Sequence, residues 1–140
     1  MKQEIYLTTD AVIFCKQKNN YYILLIQRKN DPFKNKWALP GGFVNQDEKL
    51  IHACQRELQE ETGLNLIPQQ LKFVGVFDDI NRDPRSRTIS IAYTSLVDEL
   101  FEVKGMDDAA KAEWINLEEP NQLAFDHNTI VVKAKETLHL

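Results

Sequence analysis

The sequence predicts an α/β fold, a mixed β-sheet covered by helices. Three observations lead there. Strand-like runs lie both before and after a central helical segment, a second helical pattern closes the chain, and strands and helices do not alternate one for one as an all-parallel sheet requires. With 140 residues, 43% hydrophobic and 27% charged, the chain has the size and composition of one soluble globular domain, residues 1–140. No internal repeat, low-complexity tract or Gly/Ser linker divides it.

The first element is a hairpin. "IYLTTDAVIF" and "YYILLIQR" are β-rich, and the polar "CKQKNN" joins them. The stretch "NDPFKNKWALPGGF" reads as a loop, marked by Pro32, Pro40 and the Gly41-Gly42 pair. From about Asp47 to Thr62 neither Gly nor Pro occurs, so a helix is expected there, with Gly63 placed as its C-terminal cap. "LKFVGVF" and "TISIAYTSLV" read as strands around the polar loop "DDINRDPRSR", and "AEWINL" as a shorter one. From about Asn128, "NTIVVKAKETLHL" is expected to form a closing helix, preceded by the capping-type "FDHN".

Bulk properties exclude some roles. A formal net charge of −4 argues against a broad basic surface for nucleic acid. The start is not signal-like and no apolar run approaches membrane-spanning length, so no membrane partner and a cytoplasmic location are expected. Cys15 and Cys54, far apart and outside any metal-type spacing, are expected to be buried, reduced thiols.

The most informative stretch is "RELQEETGL", residues 56–64. It sets Glu57, Glu60 and Glu61 in the last turns of the predicted helix, where the macrodipole disfavours negative charge. Glu57 also faces Glu60 and Glu61 at i,i+3 and i,i+4, each like-charge pair costing about 0.2–0.5 kcal/mol. On a wheel of about 100° per residue, Leu50, Ile51, Cys54 and Leu58 form the buried stripe. Glu57 and Glu61 lie at its edge, with Glu60 further round. Three carboxylates at a partly buried edge are hard oxygen ligands suited to Mg²⁺, with Mn²⁺ as the alternative.

Reading outward, "GFVNQDEKLIHACQRELQEETGL", residues 42–64, resembles the Nudix box throughout, and "WALPGG" before it also looks like that family. The resemblance implies an α/β/α Nudix sandwich and a hydrolase of nucleoside diphosphates linked to another group. It assigns Glu57, Glu60 and Glu61 to one or more metal ions, with the Gly41 carbonyl as a further ligand. Arg56 would orient the carboxylates, Glu48 would pair with Arg56 or sit in the outer shell of the metal, and Gly42 would allow close backbone approach; Gly63 stays structural. The general base is a box glutamate or one of Asp98, Glu99, Glu102, Asp107, Asp108 and Glu113, none of them singled out. The family also carries the expectation of a homodimer.

Two stretches outside the box narrow the substrate. "FDDINRDPRSRTISIAY" and "LAFDH" resemble the ADP-ribose pyrophosphatase branch, although Ile80 stands where many of its members carry a proline. Arg85 and Arg87 are forked donors suited to phosphate or ribose, and Arg28 and Lys36 are further candidates to face the diphosphate. Phe33, Trp37 and Tyr93 are candidate stacking residues. The leading expectation is therefore Mg²⁺-dependent cleavage of ADP-ribose to AMP and ribose 5-phosphate. The alternatives are a nucleoside triphosphate pyrophosphohydrolase of the 8-oxo-dGTP type and a non-catalytic ADP-ribose-sensing module.

Overall fold

The computed structural model describes residues 2–119 and 121–140. Its strands are β1 (Tyr6–Gln17), β2 (Asn20–Arg28), β3 (Trp37–Ala38), β4 (Gly41–Phe43), β5 (Lys72–Phe77), β6 (Thr88–Val97) and β7 (Ala109–Asn116). Its helices are α1 (Leu50–Thr62) and α2 (His127–Leu138), with a short 3₁₀ turn at Pro68–Gln70. The strands form one sheet along the path β3-β2-β1-β6-β5, with β4 on β1 and β7 on β2. β1 runs parallel to β6 from Tyr6↔Thr88 to Cys15↔Val97, and the other pairings are antiparallel. The sheet is mixed, as the order of elements predicts.

The helices cover opposite faces. Ala11, Ile13 and Cys15 of β1 pack in one core with Cys54 and Leu58 of α1. Val12 and Phe14 pack in a second core with Ile130, Val131 and Ala134 of α2. A strand covered on both faces reads as a continuous apolar run, which is why "AVIFC" does not alternate. Leu58 is fully buried, a contribution of about 1.5–3 kcal/mol. Cys15 and Cys54 are buried free thiols, and no helix among the described residues is long and apolar enough to cross a membrane.

One departure from the predicted elements shapes the site. β1 and β2 pair beside their turn, from Gln17↔Asn20 to Phe14↔Ile23, and then part. Beyond that point Ile26 lies between Ala38 of β3 and Ala112 of β7. Thr9 in turn lies between Gly42 of β4 and Ile91 of β6. β3 and β4 therefore fill the gap in a split sheet, and the bend between them is buried there, with the Ala11 N–H donating to the Pro40 carbonyl at 2.8 Å. The sequence reads this segment as loop because strands of two and three residues are too short to show a period.

Other boundaries move by a few residues. α1 begins at Leu50 instead of Asp47, since Lys49 is extended and the Glu48 carboxylate turns back to accept the Asn45 N–H at 2.9 Å. β7 starts at Ala109, earlier than "AEWINL" indicates, and α2 starts one residue early at His127. Gly63 caps α1 as expected: its φ is 79° and its N–H donates to the Gln59 carbonyl.

Candidate active site

The split in the sheet opens into a cavity of about 340 Å³. β4 forms one wall and the last turns of α1 press against it. The glycine pair makes that approach possible. A Cβ on Gly42 would lie 2.5 Å from the Glu57 carboxyl carbon, and one on Gly41 would lie 2.1 Å from the Thr9 carbonyl oxygen. The Gly41 N–H donates to Glu61 Oε1 at 2.8 Å.

Glu57 and Glu61 both line the cavity. Burial raises the Glu57 carboxyl above its usual range, against the pull of Arg56. Burial also pushes Glu61 up to about 8, opposed by the Gly41 N–H and reinforced by the negative charges of Glu57, Asp10 and Asp108. Glu60 is placed differently. Its side chain is 44% exposed and accepts a 3.1 Å bond from Arg56, and it does not line the cavity.

Arg56 ties the arrangement together. Its guanidinium donates twice to Glu48, at 3.0 and 2.6 Å, and to Glu57 at 2.8 Å. It also donates to Glu60 and to the Phe43 carbonyl. Bonding to Arg56 holds the Glu48 carboxyl below the usual carboxylate range. Three carboxyl groups and one strand are thereby fixed by a single fork of donors.

The cavity lining carries seven carboxyl groups (Asp10, Asp31, Glu57, Glu61, Asp83, Asp107 and Asp108) against three guanidiniums (Arg28, Arg82 and Arg85). An anionic ligand entering this excess of negative charge needs a cation beside it. The donor chemistry fits a hard divalent ion. Glu57 and Glu61 offer carboxylate oxygens whose burial is only partly compensated. Among the described residues no three acidic, His or Cys side chains are placed to hold a metal ion together, so Glu57, Glu60 and Glu61 do not converge as the sequence leads one to expect. Two carboxylates with room for water and phosphate oxygens suit Mg²⁺ better than a site saturated by protein.

The other sequence candidates divide. Arg28 and Arg85 line the cavity, whereas Lys36 and Arg87 do not; Arg87 instead donates to the Asp78 carbonyl at 2.7 Å. Of the acids named for the general base outside the box, only Asp107 and Asp108 are on the lining. Their loop is tied to the end of α1 by Lys104 N–H to Thr62 and Met106 N–H to Glu61. Trp37 packs against the α2-side core, Tyr93 is buried in the α1-side core, and Phe33 stacks behind Phe125. The aromatic rings on the lining are Phe43 and Phe125.

The sequence reading missed a buried polar network on the cavity floor. Asp10 accepts from the Ser90 hydroxyl and lies 3.4 Å from His127 Nε2. Arg82, with a side chain only 3% exposed, grips Asp126 through two bonds of 2.9 and 2.7 Å. His127 Nδ1 accepts the Leu39 N–H at 3.0 Å, which anchors the β3–β4 bend to the start of α2. A carboxylate within the apolar run of β1 was the available signal, since a buried strand rarely carries one without a partner or a task.

This network makes a pH prediction. Burial holds the His127 imidazole below its usual 6.5, although Asp10 and Asp126 pull the other way. As pH falls below 6.5, the unfolded chain takes up a proton that the folded imidazole refuses, so stability falls. An NMR titration should find His127 neutral through its usual range. The loss of unfolding temperature below pH 6.5 should be shallower in His127→Gln, and equal slopes would refute the buried neutral state.

Comparison with known proteins agrees with the fold. The NUDIX domain profile covers residues 6–134. The chain is 44% identical over 135 residues to an ADP-ribose pyrophosphatase of Methanocaldococcus jannaschii, covering 93% of this chain and 75% of that protein. It is 36% identical over 132 residues to the ADPR responsive transcriptional repressor NtrR of Acinetobacter baylyi, covering 91% of this chain and 52% of the repressor. Its fold superposes on the NUDIX domain of Shewanella oneidensis NrtR, solved with ADP ribose, at a TM-score of 0.88 and 31% identity, covering 99% of this chain and 90% of that one. With the box glutamates of α1 set against a glycine strand in a split mixed sheet, the chain belongs to the Nudix family.

Proposed function

We propose that this chain hydrolyses ADP-ribose to AMP and ribose 5-phosphate, using Mg²⁺, with Mn²⁺ as a substitute. The observation that carries the reading is the pairing of the half-buried Glu57 and the buried Glu61 with Arg28 and Arg85 on the lining of one cavity. The archaeal relative named for this activity supports the choice of substrate. Nudix hydrolases work with divalent metal ions. In this site Glu57 and Glu61, with the Gly41 carbonyl as a further donor and Glu60 once its side chain turns away from Arg56, would hold one. When bound, such an ion supplies charge neutralisation and Lewis acidity at the diphosphate.

The chain's own groups supply the rest. Arg56 holds Glu57 and Glu48 in place, so the carboxylates need no reorganisation as the reaction proceeds. Arg28 and Arg85 face the diphosphate and meet negative charge with forked donors. Water adds to one phosphorus while the anhydride P–O bond breaks towards the other phosphate. The proton lost by the water passes to a carboxylate of the site, the candidates on the lining being Glu57, Glu61, Asp107 and Asp108. We also propose that residues 1–140 form one Nudix domain that acts in the cytoplasm and as a homodimer. The exposed Phe73 and Val76 of the edge strand β5 offer an apolar contact surface for the second copy.

Product analysis tests the reading. With Mg²⁺ present, ADP-ribose should give AMP and ribose 5-phosphate. Pyrophosphate released from dGTP or 8-oxo-dGTP, with ADP-ribose untouched, would move the substrate to the triphosphates. Binding of ADP-ribose without turnover would make the chain a sensing module.

A further inference from the structure

The bend between β3 and β4 is held at three consecutive residues by three different elements. Leu39 donates its N–H to His127 Nδ1 at 3.0 Å, at the start of α2. Pro40 offers its carbonyl to the Ala11 N–H of β1 at 2.8 Å. Gly41 donates its N–H to Glu61 Oε1 of α1 at 2.8 Å. The first of these contacts is the one that a side-chain tautomer decides. In a neutral imidazole one ring nitrogen carries the proton and the other accepts. His127 is buried, and burial keeps its ring neutral through the usual range. Nδ1 can therefore accept from Leu39 only while the proton sits on Nε2.

Asp10 stands where it controls that choice. Its Oδ1 lies 3.4 Å from His127 Nε2, a negative charge beside the proton. Its other oxygen accepts from the Ser90 hydroxyl and faces Arg82 at 4.0 Å. Asp10 also pairs with Gly41 in the β1–β4 ladder, so close that a Cβ on Gly41 would lie 2.7 Å from Oδ1. The start of α2 forgoes a contact for this arrangement. Asp126 occupies the N-cap position, where an aspartate ordinarily accepts from the free N–H groups of the helix. Here it makes no such bond, and both of its carboxylate oxygens accept from Arg82, at 2.9 and 2.7 Å. The diverted cap fixes the residue next to His127 and the cation beside Asp10 together.

We propose that Asp10 and His127 are positioning residues for the metal site: Asp10 keeps the proton on Nε2, His127 thereby holds Leu39, and the bend keeps Gly41 against Glu61. This rests on the reading of Glu61 and the Gly41 carbonyl as metal donors. Neither Asp10 nor His127 has to touch the metal ion or the substrate in this role. Groups that orient metal ligands from outside change metal affinity or activity by about 10- to 100-fold when replaced. Asp10→Asn is the sharpest change. Arg82 can only donate, so it keeps the amide oxygen on its side and turns the amide N–H groups towards Nε2. The imidazole proton then moves to Nδ1, where it opposes the Leu39 N–H.

The test reads the tautomer and the metal separately. In metal-free protein, NMR shifts of the His127 ring nitrogens should place the proton on Nε2, and on Nδ1 in Asp10→Asn. Titration with Mn²⁺, followed by the paramagnetic resonance signal of the free ion, should show about tenfold weaker binding in Asp10→Asn. His127→Gln, which reaches Asp10 but leaves the Leu39 N–H without an acceptor, should be weakened alike. His127→Asn should bind Mn²⁺ as the parent protein does, because its amide oxygen takes the place of Nδ1. These two variants decide the matter should Asp10→Asn not fold. A proton on Nδ1 in the parent, an unmoved proton in Asp10→Asn, or unchanged Mn²⁺ affinity in His127→Gln would each overturn the proposal. So would equal weakening by His127→Asn and His127→Gln, the mark of a merely structural histidine. Absence of Mn²⁺ binding by the parent protein would overturn the metal reading and the proposal with it, and the metal-free shifts tell that failure from a wrong tautomer.

Discussion

Glu61→Gln is expected to lower kcat on ADP-ribose by roughly a thousandfold or more, while the metal-free protein loses no stability. The two halves of this result have one cause. Glu61 is 4% exposed, and burial raises its carboxyl to about 8, so the fold tolerates the charge poorly. Glutamine keeps the side-chain oxygen that accepts the Gly41 N–H and removes the charge. The same change removes the anionic ligand proposed for the divalent ion, so the rise in unfolding temperature that Mg²⁺ gives the parent protein should shrink. Steady-state kinetics and thermal unfolding with and without Mg²⁺ check both halves. A variant that lost activity and metal-free stability together would make Glu61 a scaffold residue.

The second large effect separates two adjacent glycines. Gly41→Ala should destabilise by about 3 kcal/mol or more, lowering the unfolding temperature by about 10 °C. Its Cβ would meet the Thr9 carbonyl oxygen at 2.1 Å, and Thr9 sits in the central strand between β4 and β6. The backbone there cannot yield without breaking the ladder. Gly42→Ala should behave differently. The three atoms nearest its Cβ all belong to the Glu57 carboxyl, from 2.5 Å, and a side-chain end can swing aside. That variant should fold with little loss of stability and lose activity, because Glu57 is pushed from its place beside Arg56. Gly75→Ala, where the nearest atom is Phe77 at 3.7 Å, serves as the tolerated control. Thermal unfolding of the three variants, with activity measured on each, decides the matter. Equal stability of Gly41→Ala and Gly75→Ala would contradict the packing described.

The legible parts of this protein were those where chemistry shows in residue type and spacing. Glu57 and Glu61 stood out because acids at a helix C-terminus oppose the macrodipole. Arg56 stood out because it adjoins them. Glu60 carried the same signal, yet its side chain turns to Arg56 and solvent, a choice of rotamer that spacing does not encode. Arg28 and Arg85 reached the cavity lining while Lys36 and Arg87 did not, because loop residues are placed by tertiary contacts and not by a period. Asp10, Arg82 and His127 come from a strand, a loop and a helix start, and only the closed sheet gathers them. β3 and β4 were hidden by their shortness, and with them the split that makes the cavity.

That closed sheet has a consequence for how the protein is made. The parallel ladder between β1 and β6 joins residues 82 positions apart in the chain, as in the Thr94 to Val12 contact. β1 therefore waits for its partner until synthesis has passed Val97, and such distant pairings are slow to close. Asp10 meets Ser90 and Arg82 only at that point, and His127 joins later still. During translation the β1–β2 hairpin and α1 have each other to rest on, while the floor of the cavity does not yet exist. The carboxylates proposed to hold the metal ion are made early and wait on an unfinished scaffold until α2 docks.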